Sequence, residues 1–367
     1  MRDLQNSTIV NRLRDALLSS LSTNAMYLML AQATMAGLGF FFWVIVARYY
    51  SAAELGYSSA IVSTISLVAL TGHIGLDAFL VRFLAGAEKP QRLFNTCLTY
   101  AAIATAIAAL VAATGFRWWS PRLAFVSTQP IFFAAFVGFA IASTMGGIAG
   151  SAFVAGRHSK FLLMKDILFS VTKLLLPLLF VRYFHAFGIV ASWGLATATA
   201  LVASLAIFMP RMMPGYVPLP TLGAKLVRRA WGFSGMSYVI SLIGAAPKFV
   251  MPIIVINALG PEENAYFYVA WAIATLLFSI PTSLGQSLFA EGSHNRRRLH
   301  GDIRRAIGLS FLLLVPAVVF VWILGGHVLL AFGADYSERS IGLLRILVLA
   351  GFPITLERVY FTVLRIR

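Results

Sequence analysis

WVIVARYYSAAELGYSSA occupies residues 43–60 and PIIVINALGPEENAYFYV occupies residues 252–269, at a spacing of 209. At that offset Ile45 meets Ile254, Val46 meets Val255, Glu54 meets Glu263 and Tyr57 meets Tyr266. Phe40 also meets Phe249, Leu67 meets Leu276, and with a one-residue slip Gly75 meets Gly285. Each copy reads as the end of one apolar span, a tight turn and the start of the next. Acidic residues suit a helix start, where the backbone carries partial positive charge, so Glu54, Glu262 and Glu263 are expected as caps. Six spans intervene, an even number, so the two copies cross a bilayer in the same sense. Parallel repeats of this kind build transporters from two bundles related by an axis along the membrane normal. The Pro-rich stretch Pro210–Pro220 separates an N-terminal six-helix bundle, 1–215, from a C-terminal bundle, 216–367, with four helices.

Composition points the same way. Of 367 residues, 59% are apolar and 11% charged, whereas a soluble domain carries about 45–50% and ~25%. Mean hydropathy is +0.84. The apolar runs are continuous and about 20 residues long, the length of a spanning helix; barrel strands alternate in ~10-residue units. The fold class is therefore an all-α polytopic membrane protein. Ten spans are predicted: 24–47, 55–81, 94–114, 130–155, 161–181, 186–209, 231–257, 264–289, 306–324 and 341–361. Residues 1–23 and 216–230 carry basic residues beside Leu13/Leu17 and Leu222/Leu226, and read as short interfacial helices. Cys97 is the one cysteine, so no internal disulfide forms.

The net charge is +16, which in a soluble chain suggests nucleic acid. Here the cations sit in short loops, and no nucleic-acid partner is expected. Nineteen lie on one side, among them Arg82, Lys89, Arg92, Lys160, Arg228 and Arg304, against Arg48, Arg117, Arg122, Arg182 and Arg339 on the other. The positive-inside rule places both ends of the chain in the cytoplasm.

No phosphate-binding loop, HExxH or Cys/His cluster occurs, and the loops are short for an enzyme. Transport is the expectation, without a resident cofactor or metal. Ionisable groups within spans are costly and mark function by default. Lys248 falls near the midplane between Pro247 and Pro252; it either serves a ligand or pairs with a carboxylate. Lys173, seven residues after Asp166, divides evenly between the same readings. For Asp166 the bland reading is a pair with Lys165 or Lys160. Arg345 in the last span is a further candidate for a cavity wall. His73 and Asp77 stand at i,i+4 between and after Gly72 and Gly75; they either carry H+ or Na+ or form a helix-end salt link.

Several segments together resemble the MOP flippase superfamily, in particular its polysaccharide transporter branch, the Wzx-type O-antigen flippases. They are ARYYSAAELGYSSA at 47–60, HIGLDAFLVRFLAG at 73–86, NALGPEENAYFYVA at 257–270, PTSLGQSLFAEGSH at 281–294 and AFGADYSERSIGLLRIL at 331–347. The resemblance implies two lobes around a cavity rich in cations, opening alternately to either side of the cytoplasmic membrane. It also implies a polyprenyl-pyrophosphate-linked oligosaccharide as substrate. Membrane lipids and polysaccharide assembly proteins are the other implied partners. On this plan Lys248 lies in the middle of the span that opens the second lobe; no family motif carries Lys173, Arg345, His73 or Asp77. By intramembrane charge alone Lys248, Lys173 and Arg345 are expected to meet the anionic head group, and His73 with Asp77 to couple an ion. Members of the family have 12 or 14 spans, so the second bundle is expected to be incomplete, with the reading frame running past Arg367. Two other functions compete: an organic-cation or multidrug antiporter of the same superfamily, and a non-transporting component of a polysaccharide assembly complex.

Overall fold

The computed structural model describes residues 20–294 and 299–366, and these are helical with short connections. In chain order they form α1 (Ser20–Tyr49), α2 (Ala52–Gly72), α3 (Leu76–Phe83), α4 (Pro90–Trp119), α5 (Phe125–Thr128), α6 (Pro130–Ala155) and α7 (Ser159–Ala203). Then follow α8 (Met209–Met212), α9 (Ala224–Leu259), α10 (Pro261–His294), α11 (Leu299–Leu330), α12 (Ala334–Leu349) and α13 (Gly351–Ile366). Among the described residues, nine helical stretches are long and apolar enough to cross a membrane. The expected interfacial helix at the N-terminus, and the cations Arg296, Arg297 and Arg298, lie wholly or mostly outside the described residues.

Two compact units arise. One holds the described residues up to Phe42 together with Tyr57–Gly260; the other holds Trp43–Gly56 and the residues from Pro261 onward. The units are thus divided by packing at different points from the repeat boundary read between residues 215 and 216.

In the first unit, α3, α4, α6 and α7 pack around two apolar clusters. One gathers Phe79, Phe94, Phe153 and Phe208; the other gathers Ile65, Phe116, Phe136 and Val190. Between these layers the buried Thr105 hydroxyl donates to Thr144 at 2.8 Å, and Thr144 reaches the Ala69 carbonyl at 3.2 Å. In the second unit Ser340 donates to the Tyr266 carbonyl at 3.0 Å, joining α12 to α10.

The repeat is visible in matched contacts. In the second unit Arg48, at the end of α1, donates to the Ala331 and Leu330 carbonyls at 2.7 and 2.6 Å, closing the C-terminus of α11. Its counterpart 209 residues on is Asn257, at the end of α9. In the first unit Asn257 donates to the Ser120 hydroxyl at 2.9 Å, just past the end of α4. Likewise Tyr57 meets Phe125 edge-on at 5.8 Å, and Tyr266 meets Tyr336 at 5.1 Å. The turn before α2 is a capping box: Glu54 accepts from the Ser51 N–H and hydroxyl at 2.8 Å each. Gly56 follows it where α10 begins, and a side chain there would run into the Pro261 backbone.

One expectation holds in an unexpected form and three others change. Spans 161–181 and 186–209 lie within a single helical stretch, Ser159–Ala203, as its two limbs. A straight helix of 45 residues would be about 67 Å long, yet the Phe169 and Trp193 rings lie 6.3 Å apart. The segment therefore doubles back on itself. Span 55–81 is interrupted, because α2 stops at Gly72 and α3 starts at Leu76. The last span begins earlier than expected and bends at Ala350, between α12 and α13. Residues 216–230 do not make a separate interfacial helix. Pro214, Pro218 and Pro220 lack donors and keep this stretch extended. Side chains one helical turn apart on α4 hold it: Gln91 donates to the Pro214 carbonyl at 2.9 Å and Asn95 to the Val217 carbonyl at 2.8 Å, while Thr99 accepts from the Thr221 N–H at 3.1 Å. From Ala224 the chain is already α9.

A buried lysine and a broken helix as the candidate functional site

Lys173 lies on the first limb of α7, and only 5% of it is exposed. Its ammonium sits 5.0 Å from the centre of the Phe42 ring and 4.8 Å from that of Phe169. Gly39 of α1 leaves room beside it, as a Cβ there would stand 3.8 Å from Nζ. Among the described residues no carboxylate lies within 4 Å of this ammonium. Asp166, the nearest acidic residue along the helix, is engaged with Lys165 at 3.0 Å, which is the bland pairing expected for it. Aromatic faces attract cations by about 0.5–2 kcal/mol each, less than the several kcal/mol needed to strip an ammonium of water. Two rings hold Lys173 in place without neutralising it. The net result is a buried ammonium with aromatic neighbours and, among the described residues, no carboxylate partner.

The second feature is the break between α2 and α3. Ile74 and Gly75 adopt φ of 40° and 80°, a left-handed bend that glycine accepts and a β-branched residue resists. The bend is held from α9. Ser234 donates to the Gly75 carbonyl at 2.7 Å, and Tyr238 donates to the Thr71 carbonyl at 2.7 Å. His73 and Asp77 face each other across it with Nδ1 and Oδ2 3.8 Å apart, 20% and 41% exposed. On its other side the His73 ring lies against Gly147 of α6, where an added Cβ would come within 2.7 Å of Nε2. The pair expected from the sequence is thus brought together at a bend stabilised by neighbouring hydroxyls.

No protein-family model matches the chain. A curated protein of Shigella flexneri named "Putative O-antigen transporter" is 23% identical over 144 residues, which are 38% of this chain and 34% of that protein. The match thus spans about one third of the curated relative's length. Among solved structures, the outward-facing conformation of a multidrug resistance MATE family transporter of the MOP superfamily aligns with a TM-score of 0.61 at 14% identity, covering 94% of this chain and 83% of that one. The inward-facing conformation of a multidrug resistance MATE family transporter of that superfamily aligns with a TM-score of 0.58 at 15% identity, covering 94% and 88%. The chain shares the fold of these MATE transporter structures.

Within this fold the remaining candidates are placed differently from Lys173. Lys248 is exposed on α9, with the neighbouring Phe249 ring 5.6 Å from its ammonium. It has no carboxylate within 4 Å among the described residues. Arg345 belongs to the second unit, where its exposed guanidinium donates to the Trp322 carbonyl at 3.1 Å and lies 5.8 Å from the Trp322 ring centre. It stitches α12 to α11. Residues that sequence reasoning missed are Phe42, Phe169, Ser234 and Tyr238. Phe42 and Phe169 look like ordinary apolar span residues, and their role appears only where α1 meets α7. Ser234 and Tyr238 carried a weak signal, being polar residues four apart in an apolar run.

Proposed function

We propose that this chain is a membrane transporter of the MOP type that moves a lipid-linked oligosaccharide bearing a polyprenyl pyrophosphate across the cytoplasmic membrane. The observation that carries this reading is the buried, unneutralised Lys173 ammonium. A pyrophosphate crossing ~30 Å of hydrocarbon needs fixed positive charge in a wet interior, and charge-assisted hydrogen bonds to such a group are about twice as strong as neutral ones. Lys173 is the principal contact. Lys248 and Arg345, both exposed, meet the anion in its more hydrated positions. The similarity to the Shigella flexneri protein favours this substrate class.

His73 and Asp77 form the coupling element, for H+ or Na+. Protonated His73 draws Asp77 in and leaves the bend closed on itself; neutral His73 frees the carboxylate for a cation. Polysaccharide assembly proteins on either side of the membrane would supply the substrate and consume the product.

Export of organic cations is the second reading, favoured by the multidrug transporters that share the fold. Such a cavity needs a free carboxylate. In the first unit Asp166 is paired with Lys165, and Asp77 faces His73. Vesicles containing the purified chain separate the two readings: flux of fluorescent lipid-linked oligosaccharide is expected, with no uptake of a fluorescent organic cation. The opposite result overturns the proposal.

A further inference from the structure

A groove of about 510 Å³ opens where α4 and α9 begin, between Ala87–Thr96 and Gly223–Leu226. Its two sides differ in chemistry. Leu93 and Leu226 form an apolar floor, while the exposed Lys89 and Arg92 stand on its rim. Arg229, one turn beyond Leu226 and outside the lining, lies 5.2 Å from the Phe83 ring centre. Glu88 is the one acidic group in the lining, so the rim is net positive. Gln91 and Asn95 of α4 clamp the extended 214–223 segment, whose last residue, Gly223, lines the groove.

Its depth is set by the helices that flank it. The apolar stretches of these two helices run from Pro90 to Trp119 and from Leu226 to Leu259, so the groove lies where both spans leave the hydrocarbon. Lipid phosphates occupy that level, and basic pockets between spanning helices suit anionic head groups. The face is the cation-rich one.

We infer that this groove binds an anionic phospholipid, its phosphate held by Lys89 and Arg92 and one acyl chain lying over Leu93 and Leu226. The site is separate from Lys173 and does not depend on what the chain transports. A lipid held here fastens the segment that joins the two repeats to the start of α4.

Native mass spectrometry of the full purified chain tests the assignment. With phosphatidylglycerol a retained adduct is expected, and with phosphatidylcholine at equal concentration none. Lys89→Gln together with Arg92→Gln should weaken phosphatidylglycerol retention by about tenfold or more, since two charge-assisted contacts are lost. Arg157→Gln together with Lys160→Gln removes the same charge from another loop and should leave retention unchanged. Equal retention of the two lipids, or equal loss in both variants, overturns the site. Displacement of the lipid by inorganic phosphate at matching concentration would instead make it a site for free phosphate and overturn the lipid assignment. The comparison of the two lipids uses the unaltered chain, so it decides the matter even if a variant folds poorly.

Discussion

Two lysines within the apolar spans, Lys173 on α7 and Lys248 on α9, carry the same charge in contrasting surroundings. By position along its span, Lys248 looks the stronger candidate, being near the midplane and flanked by prolines. Packing reverses the order. Lys173 is buried between Phe42 and Phe169, whereas Lys248 stays exposed beside Phe249. A charge enclosed by side chains acts at short range in a low dielectric, and of the two only Lys173 is so enclosed within the protein. Depth within a span is therefore a poorer guide to electrostatic leverage than the neighbours a side chain meets. Lys165 sharpens the point, because two turns before Lys173 the same helix carries a lysine neutralised by Asp166.

The largest effect is expected from Lys173→Met. Flux of lipid-linked oligosaccharide in vesicles should fall about a hundredfold, the scale of losing a charged hydrogen bond. Thermal stability should hold or rise, because a desolvated charge has been removed. A variant that transports normally would break the comparison outright. Asp166→Asn tests the neutralised lysine next. Leaving Lys165 without its carboxylate should destabilise the protein by about 1–3 kcal/mol, the cost of stranding a buried charged group, with flux per folded molecule unchanged. Lys165 and Asp166 are 15% and 13% exposed, so solvent relieves little of this cost. If flux falls with stability intact, Asp166 belongs to the mechanism.

Lys248→Met should lower flux by about tenfold or less and alter stability by no more than ~0.5 kcal/mol, as for a typical exposed position. Equal losses from Lys173→Met and Lys248→Met would erase the distinction between the two. Arg345→Met should have the smallest functional effect, about twofold to threefold in flux. Its loss of the Trp322 carbonyl bond should show as roughly 1 kcal/mol or less in a denaturation midpoint.

Much of the architecture is legible along the chain. The all-helical membrane class follows from apolar runs of spanning length, and the matched turns near residues 50 and 260 follow from the repeat. Glu54 reads as a cap and is one, since capping is settled within four residues. The loop sides also agree within each unit. Arg229 meets Phe83 on the cation-rich face, Arg122 approaches Gly260 on the other, and Arg339 pairs with Glu263 at 3.5 Å.

Other features needed contacts far apart in sequence. That the two limbs of α7 pack on each other is shown by Phe169 against Trp193, a contact across 24 residues. The break at 74–75 falls at the glycines Gly72 and Gly75, but the hold on the bend comes from Ser234 and Tyr238, which bond its carbonyls from α9. The extended 214–223 segment kept its amphipathic look but is bound by Gln91, Asn95 and Thr99.

Hydrophobic length and charge asymmetry are properties of single segments facing a bilayer, and the chain by itself determines them: how many apolar stretches there are, which loops share a side, where helices begin. Whether an ammonium is paired, caged by rings or open to solvent depends on which helix faces it across the bundle. For Lys173 that helix is α1, some 130 residues earlier, and only tertiary packing selects it. The burial of one lysine and the exposure of the other come from the same source, because desolvation is set by every neighbour at once and sequence spacing records only those on the same helix.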